Sequence, residues 1–353
     1  CWGRGYKGKL GNGATDNKYS PTLTSSLGDG RTAVALSSGD FHTCAILDNG
    51  SVSCWGAGGL GNGGSSYKKT PTLTSSLGED RTAVAISAGG GNTCVILDNG
   101  AVSCWGSNLF GALGNGDSTE RTTPTLTSSL GEGRTAVAIS AGGGHTCAIL
   151  DNGSVSCWGY GTFGQLGIDK LTVKKTPTLT SSLGEGRTAV TISSGGSHTC
   201  AILDNGSVSC WGKGEDGQLG NGRTIDVTTP TLTSSLGEGR TAVALTAGDF
   251  HTCAILDNGS VSCWGYGSAG QLGNGGTSEN TAMPTLTSSL GAGRHALLVV
   301  GDQDGDGVYD HFDAYPQNTL RSVNCAAGQF GRYGCVDAPL GTYVPLSGAV
   351  RAT

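Results

Sequence analysis

Asp302, Asp304, Asp306, Asp310 and Asp313 stand at positions 1, 3, 5, 9 and 12 of one short stretch, with Gly307 at position 6 and Val308 at position 7. Carboxylates at that spacing, a glycine for the sharp turn and the backbone carbonyl of Val308 supply the oxygen ligands of a calcium loop. So many carboxylates within one turn repel each other unless a cation lies among them. Calcium is therefore the expected cofactor, and the expected effect is to stiffen a joint in the chain. A solvated acidic linker is the other reading.

The 13 cysteines are the second chemical resource. They pair by spacing as Cys44 with Cys54, Cys94 with Cys104, Cys147 with Cys157, Cys200 with Cys210, Cys253 with Cys263 and Cys325 with Cys335, leaving Cys1 over. Between Cys44 and Cys54 the residues read as two short strands around Asp-Asn-Gly. A three-residue turn with Gly50 at positive φ sets Leu47 opposite Ser51, Ile46 opposite Val52 and Cys44 opposite Cys54. Directly opposed residues of an antiparallel pair lie about 4.5–5.5 Å apart at Cα, within disulfide reach. The same register puts Cys44, Ile46, Val52 and Cys54 on one face. Zinc, the competing partner of paired cysteines, wants ligands separated by two to four residues in its usual knuckles. The reading is therefore five intra-hairpin disulfides, a sixth pair in the tail, and an oxidising compartment.

His42, His145, His198 and His251 recur just before the first cysteine of each pair, with Asn92 in the remaining copy. A ring of histidines offers a metal site on an axis, a reading that the asparagine weakens. The tryptophans that follow the second cysteine read as packing, with a glycan-binding face as the alternative. Asn49, Asn152, Asn205 and Asn258 lie in Asn-Gly-Ser sequons, candidate glycan acceptors that are also good hairpin turns. The Thr-Leu-Thr-Ser-Ser segments are candidate O-glycan acceptors. No Ser-His-Asp set, phosphate loop or carboxylate pair in an apolar setting appears, so no enzyme is expected.

What must position these residues is a repeat. Trp2, Trp55, Trp105, Trp158, Trp211 and Trp264 recur about every 53 residues, and Pro-Thr-Leu-Thr-Ser-Ser-Leu-Gly begins at Pro21, Pro71, Pro124, Pro177, Pro230 and Pro284. Units of a few tens of residues bury their apolar faces only against neighbouring units. Near-identical copies also leave little room for a unique catalytic centre. Gly supplies 64 of 353 residues without a G-X-Y period, which excludes collagen and fits many short strands and turns. Charged residues are 14% and the net charge is -6, giving no basic face for nucleic acid. No apolar run is long enough to span a bilayer, so membrane insertion is not expected.

Trp-Gly, then Gly-Gln-Leu-Gly-Asn-Gly, then Thr-Pro, then Ala-Gly-Gly-Gly-His-Thr-Cys-Ala-Ile-Leu-Asp-Asn-Gly recur in order, and this pattern resembles the RCC1 repeat (regulator of chromosome condensation type). The resemblance implies an all-β fold, a β-propeller of four-stranded blades, six in number with seven as the alternative. It also implies that His42, His145, His198 and His251 are hydrogen-bonding residues internal to each blade. It covers residues 1–300; 301–320 form the calcium loop and linker, and 321–353 a cysteine-rich tail. The acidic loop resembles thrombospondin type 3 repeats more than an EF-hand, since position 12 is Asp and no helices flank it. The tail resembles the start of a Cys-Gly-Tyr module of receptor type. Five repeats are complete from Cys1 to Ser262, and the sixth, from Cys263, lacks its hairpin, so one blade looks unfinished. Cys1 aligns with the repeat cysteines; a lipid-modified N-terminus is its alternative role.

Together these features predict an extracellular, non-enzymatic structural or adhesion protein that self-associates, in one version as a filament joined through the open blade. The alternative is a secreted binding module that recognises a protein or glycan on its loop face. It rests on the diversity after each Trp-Gly, as between Tyr160-Gly-Thr-Phe163 and Lys213-Gly-Glu-Asp216. The exchange-factor role of nuclear members, with its chromatin binding, is disfavoured by the disulfides and the acidic balance.

Overall fold

Each cysteine hairpin forms the middle of a four-stranded antiparallel sheet. In the computed structural model, which describes residues 1–276, 280–288, 290 and 296 and the tail strands Gln329–Phe330 and Val336–Asp337, five such sheets follow one another. Blade three is representative, with strands Ala136–Ala141, His145–Leu150, Val155–Gly159 and Lys174–Leu179 hydrogen-bonded in that order. The others begin at Ala33, Ala83, Ala189 and Ala242 and end at Leu73, Leu126, Leu232 and Leu286. First strands of successive blades touch one another. They line the axis, and the fourth strands are outermost. The fold is an all-β propeller.

The hairpins take the register read from the sequence. Cys44 pairs with Cys54 and Ile46 with Val52, the Leu47 N–H donates to the Ser51 carbonyl at 2.8 Å, and Gly50 has φ 74°. All five hairpins carry the expected disulfide. Cys44 is bonded to Cys54, Cys94 to Cys104, Cys147 to Cys157, Cys200 to Cys210 and Cys253 to Cys263, each with Cα atoms 4.1 Å apart. That removes zinc as their partner. The sixth pair read from the sequence, Cys325 with Cys335, lies outside the described residues.

The first four disulfides are buried between blades. Cys44, Ile46, Val52 and Cys54 of blade one pack with Leu60 against Val95, Leu97 and Trp105 of blade two. In the same way Cys94 and Cys104 of blade two meet Trp158, and Cys200 and Cys210 of blade four meet Trp264. Trp55, Trp105, Trp158, Trp211 and Trp264 are fully buried, so these five line no glycan-binding surface.

Two strands depart from the pattern. In the first strand a bulge between Ala136 and Ala138 leaves Val137 60% exposed, although Ala-Val-Ala reads as a core segment. In the fourth strand a register shift lies between the Cys157–Thr178 and Gly159–Lys174 pairs, and Pro177 falls within it. A proline on an outer edge at a bulge gives up no ladder bond. The repeat and the blade are also out of phase. The chain after each Trp-Gly returns to pair in its own sheet, as Gly265 does with Thr281, so the Pro284 strand completes blade five and does not open a sixth unit. Ala296 N–H donates to the Gly259 carbonyl at 2.9 Å, as Ala242 does to Gly206, and so stands where each next blade begins. Gly3 bridges Lys18, and the Thr22 N–H donates to the Cys1 carbonyl, in the manner of third and fourth strands. Of the six blades expected, five are complete among the described residues.

The histidines tie blade to blade, which corrects the expectation of a bond within each unit. His145 Nε2 lies 2.8 Å from Thr199 Oγ1 of blade four, and Thr199 donates its hydroxyl hydrogen to the Gln165 carbonyl at 2.9 Å. With that hydrogen spent, the Thr199 oxygen must accept, so His145 is the neutral Nε2–H tautomer and its buried Nδ1 is bare. Trp211 Nε1 donates to the same Gln165 carbonyl. His198 and Thr252 repeat the arrangement, and His42 meets Thr93 at 2.7 Å. Asn92 Nδ2 donates to Thr146 Oγ1 at 3.2 Å. The substitution therefore keeps a donor where a donor is required.

Burial drives the pKa of His42 and His145 down to about 4 and that of His198 to about 3. An unfolded histidine binds its proton near pH 6.5, whereas these stay neutral in the fold until about pH 4. Their contribution is fully present above pH 6.5 and is lost as pH falls from there toward 4, which a urea midpoint measured across that range will show. His145→Asn is expected to stay within about 1 kcal/mol of the parent, while His145→Leu, which removes the donor, loses about 1–3 kcal/mol. Equal losses in the two would overturn the donor assignment. Replacing Cys147 and Cys157 together by serine is expected to cost about 2–3 kcal/mol, the chain-entropy value for so short a loop, read from the same midpoint.

Candidate functional site

The turns between first and second strands converge on the axis around a cavity of about 220 Å³, lined by Gly39, Asp40, Gly89, Gly142, Gly195 and Asp249 among others. Backbones approach closely there. A Cβ on Gly142 would lie 2.5 Å from the Gly195 carbonyl oxygen and 2.6 Å from His145 Cε1, so only glycine fits. Asp40 has its carboxyl pushed up by burial and then by the charge of Asp249, with Lys9 acting the other way. Sequence reading missed this pair. Its signal is the tripeptide Asp-Phe-His, which occurs only in blades one and five. Ser38 and Ser194 also line the cavity, but Ser38 Oγ lies 3.3 Å from Thr43 Oγ1 and the Ser194 hydroxyl donates to the Ser140 carbonyl, so neither is paired with a base. Of the histidines considered as a metal site, His42, His145 and His198 are spent on threonines, and no cluster of three metal-binding side chains occurs among the described residues.

The same end of the propeller carries the loops between third and fourth strands, where the copies differ. Residues one and four places after Trp-Gly interlock between neighbouring loops. Phe110 of blade two lies 4.6 Å from Tyr160 of blade three, ring to ring, and Tyr160 lies 5.9 Å from Phe163. Lys213 of blade four places its Nζ 5.5 Å from the Phe163 ring centre. Phe250 and Tyr266 form a second pair at 6.3 Å. Leu109 is 71% exposed and Phe110 38%. Buried Asn108 aims both residues outward: its Oδ1 accepts from the Leu113 N–H, and its Nδ2 reaches the Asp117 and Thr119 carbonyls. A model of the RCC1-like domain matches residues 1–304.

The chain belongs to the RCC1-like domain family. It is 34% identical over 192 residues to the ultraviolet-B receptor UVR8 of Arabidopsis thaliana, covering 54% of this chain and 43% of that protein. It is 32% identical over 293 residues to the human E3 ubiquitin-protein ligase HERC2, covering 82% of this chain and 6% of that protein. The chain thus spans less than half the length of these curated relatives, and the stretch shared with HERC2 is its RCC1-like repeats. Yeast RCC1 (Prp20), solved bound to Kap60, superposes with a TM-score of 0.71 over 82% of this chain and 70% of that one, at 21% identity, a likeness of fold.

On this RCC1-like propeller the opposite end is nearly uniform. It carries the Asp-Asn-Gly tips, each tied to the preceding linker by an ion pair such as Arg134 Nη1–Asp151 Oδ1 at 3.2 Å. Asn49, Asn152, Asn205 and Asn258 are exposed there, and each Oδ1 accepts from the serine two residues on. The expected calcium ligands Asp302, Asp304, Asp306, Val308, Asp310 and Asp313 lie outside the described residues, as do Cys325 and Cys335. No helix among the described residues is long and apolar enough to cross a membrane. Gly142→Ala, which forces a Cβ into the axis, is expected to cost more than about 2 kcal/mol. Gly133→Ala, where nothing lies within 4 Å, is expected to cost about 1 kcal/mol from its positive φ alone. Denaturant midpoints of the two variants check the order.

Proposed function

We propose that this RCC1-like propeller is an extracellular, non-enzymatic interaction module that binds a protein through its loop face. The observation that carries the reading is the segregation of sequence variety. In a chain of near-identical units the side chains that differ, with exposed aromatics among them, gather on one end. Disulfides in every complete blade support an oxidising compartment. Yeast RCC1, a protein with this fold, was solved bound to Kap60, which is a precedent for a protein partner. Within this reading Asp302, Asp304, Asp306, Asp310, Asp313 and the Val308 carbonyl would hold calcium beyond the propeller.

A second reading, self-association as an assembly unit, is favoured by the near-identity of the units, which offer the same surfaces to every neighbouring copy.

A photo-crosslinking residue at Leu109, on protein displayed by its own cells, is expected to capture a discrete protein that the same residue at Asn152 does not. Equal capture at both, or none, overturns the loop face. Light scattering with calcium, across concentration, is expected to show single propellers; ordered assemblies would put the second reading first. Calorimetric titration of the full chain with calcium should lose one site when Asp304→Asn and Asp306→Asn are combined, and an unchanged isotherm removes calcium from the proposal. Peptide mass spectrometry without reduction is expected to find Cys147 linked to Cys157 in protein from the natural source, and free thiols there would remove the extracellular assignment.

A further inference from the structure

The loop face is chemically divided. Blades two and three contribute Leu109, Phe110, Tyr160 and Phe163, an apolar ladder with no charge of its own. Blade four contributes Lys213 and, around it, Glu215, Asp216 and Asp226. The Glu215 hydrogen bond holds the Lys213 ammonium pKa up, and the charges of Glu215, Asp216 and Asp226 act the same way. Lys213 is thus outnumbered, with its Nζ 3.0 Å from Glu215 Oε2. The Asp216 carboxylate accepts from Asn280 and that of Asp226 from the Gly214 N–H, which fix both without neutralising either. Glu215 is 66% exposed. Toward the axis the excess carboxylates continue with Asp40 and Asp249.

An apolar surface that ends against uncompensated carboxylates selects its occupant. A glycan would use the aromatic faces but would gain nothing from three carboxylates set around one ammonium. An acidic segment would be repelled. We infer that the loop face takes an extended protein segment that lays an apolar side chain on Leu109, Phe110 and Tyr160 and a lysine or arginine against Glu215 and Asp216. The inference rests on the loop-face reading above and names the partner chemistry of that site. The ladder from Phe110 through Tyr160 and Phe163 to Lys213 runs in steps of 4.6, 5.9 and 5.5 Å, so the basic residue stands within about five positions of the apolar anchor in a chain rising about 3.3 Å per residue. Apolar anchors supply affinity in such interfaces and complementary charge supplies rate and selectivity.

Random linear peptides displayed on phage and selected on the full chain test this directly. The expected consensus is a large apolar residue followed or preceded, within about five positions, by lysine or arginine. A selected peptide should bind the double variant Phe110→Ala with Tyr160→Ala at least tenfold more weakly. It should bind Glu215→Lys several-fold more weakly, with recovery when its basic residue is changed to glutamate. Glu215 is exposed and, among the described residues, pairs only with Lys213, so this variant is expected to leave the fold intact, which circular dichroism of each variant checks. Enriched peptides without a basic residue, indifferent to Glu215→Lys but lost on the double variant, overturn the partner chemistry while the loop face stands. No enrichment, or peptides indifferent to both variants, overturns the loop face as well. Binding to a glycan array in place of peptides also overturns the inference.

Discussion

A hydrogen bond that crosses from one blade to the next organises this molecule. A neutral imidazole or an amide donates to a buried threonine hydroxyl, which donates in turn to a loop carbonyl shared with the neighbouring tryptophan. Every polar atom in that chain is buried, so each member must be present in the right protonation state or a buried group is left unpaired. This sets the spacing and rotation of adjacent sheets more tightly than apolar contact alone could, because apolar contact is not directional. It also explains why the position tolerates asparagine: what is required is a hydrogen to give.

Around that stitch the blades are cheap to build. The disulfide shortens a hairpin that has few large side chains, and its sulfurs fill the interface beside Ile, Val and Trp. Glycine turns let five backbones approach the axis where any Cβ would collide. Because these duties fall to the same few residues in every copy, the loops between third and fourth strands carry no structural duty beyond the Gly-Gln-Leu-Gly segment. They are free to differ, and they do.

A propeller fold by itself implies no function. Membership of the RCC1-like family brings a scaffold shared by an ultraviolet-B receptor, an E3 ubiquitin-protein ligase and a protein that binds Kap60, which have little else in common. What distinguishes this chain is where its departures from repetition lie. They place aromatic rings on blades two and three and an excess of carboxylates on blade four, on a single end. The loop after Trp105 shows how one residue makes the difference: Asn108 replaces the glycine of its counterparts, and its amide pins the loop that projects Leu109 and Phe110.

The hairpin register, the five disulfides and the blade architecture were legible in the residues alone, because each depends on local spacing. A turn of known length fixes which residues face each other, and a repeat fixes that the faces must meet. The partners of the histidines, the out-turned valines, the phase of the blade and the meeting of Asp40 with Asp249 were not legible. Each depends on which atoms lie across a gap between units, or on a bulge that shifts one strand by a residue, and a repeat pattern is silent about both. The aromatic ladder sits between these cases: its members stand at equivalent positions in the sequence, but only the packing of adjacent blades brings position four of one loop onto position one of the next.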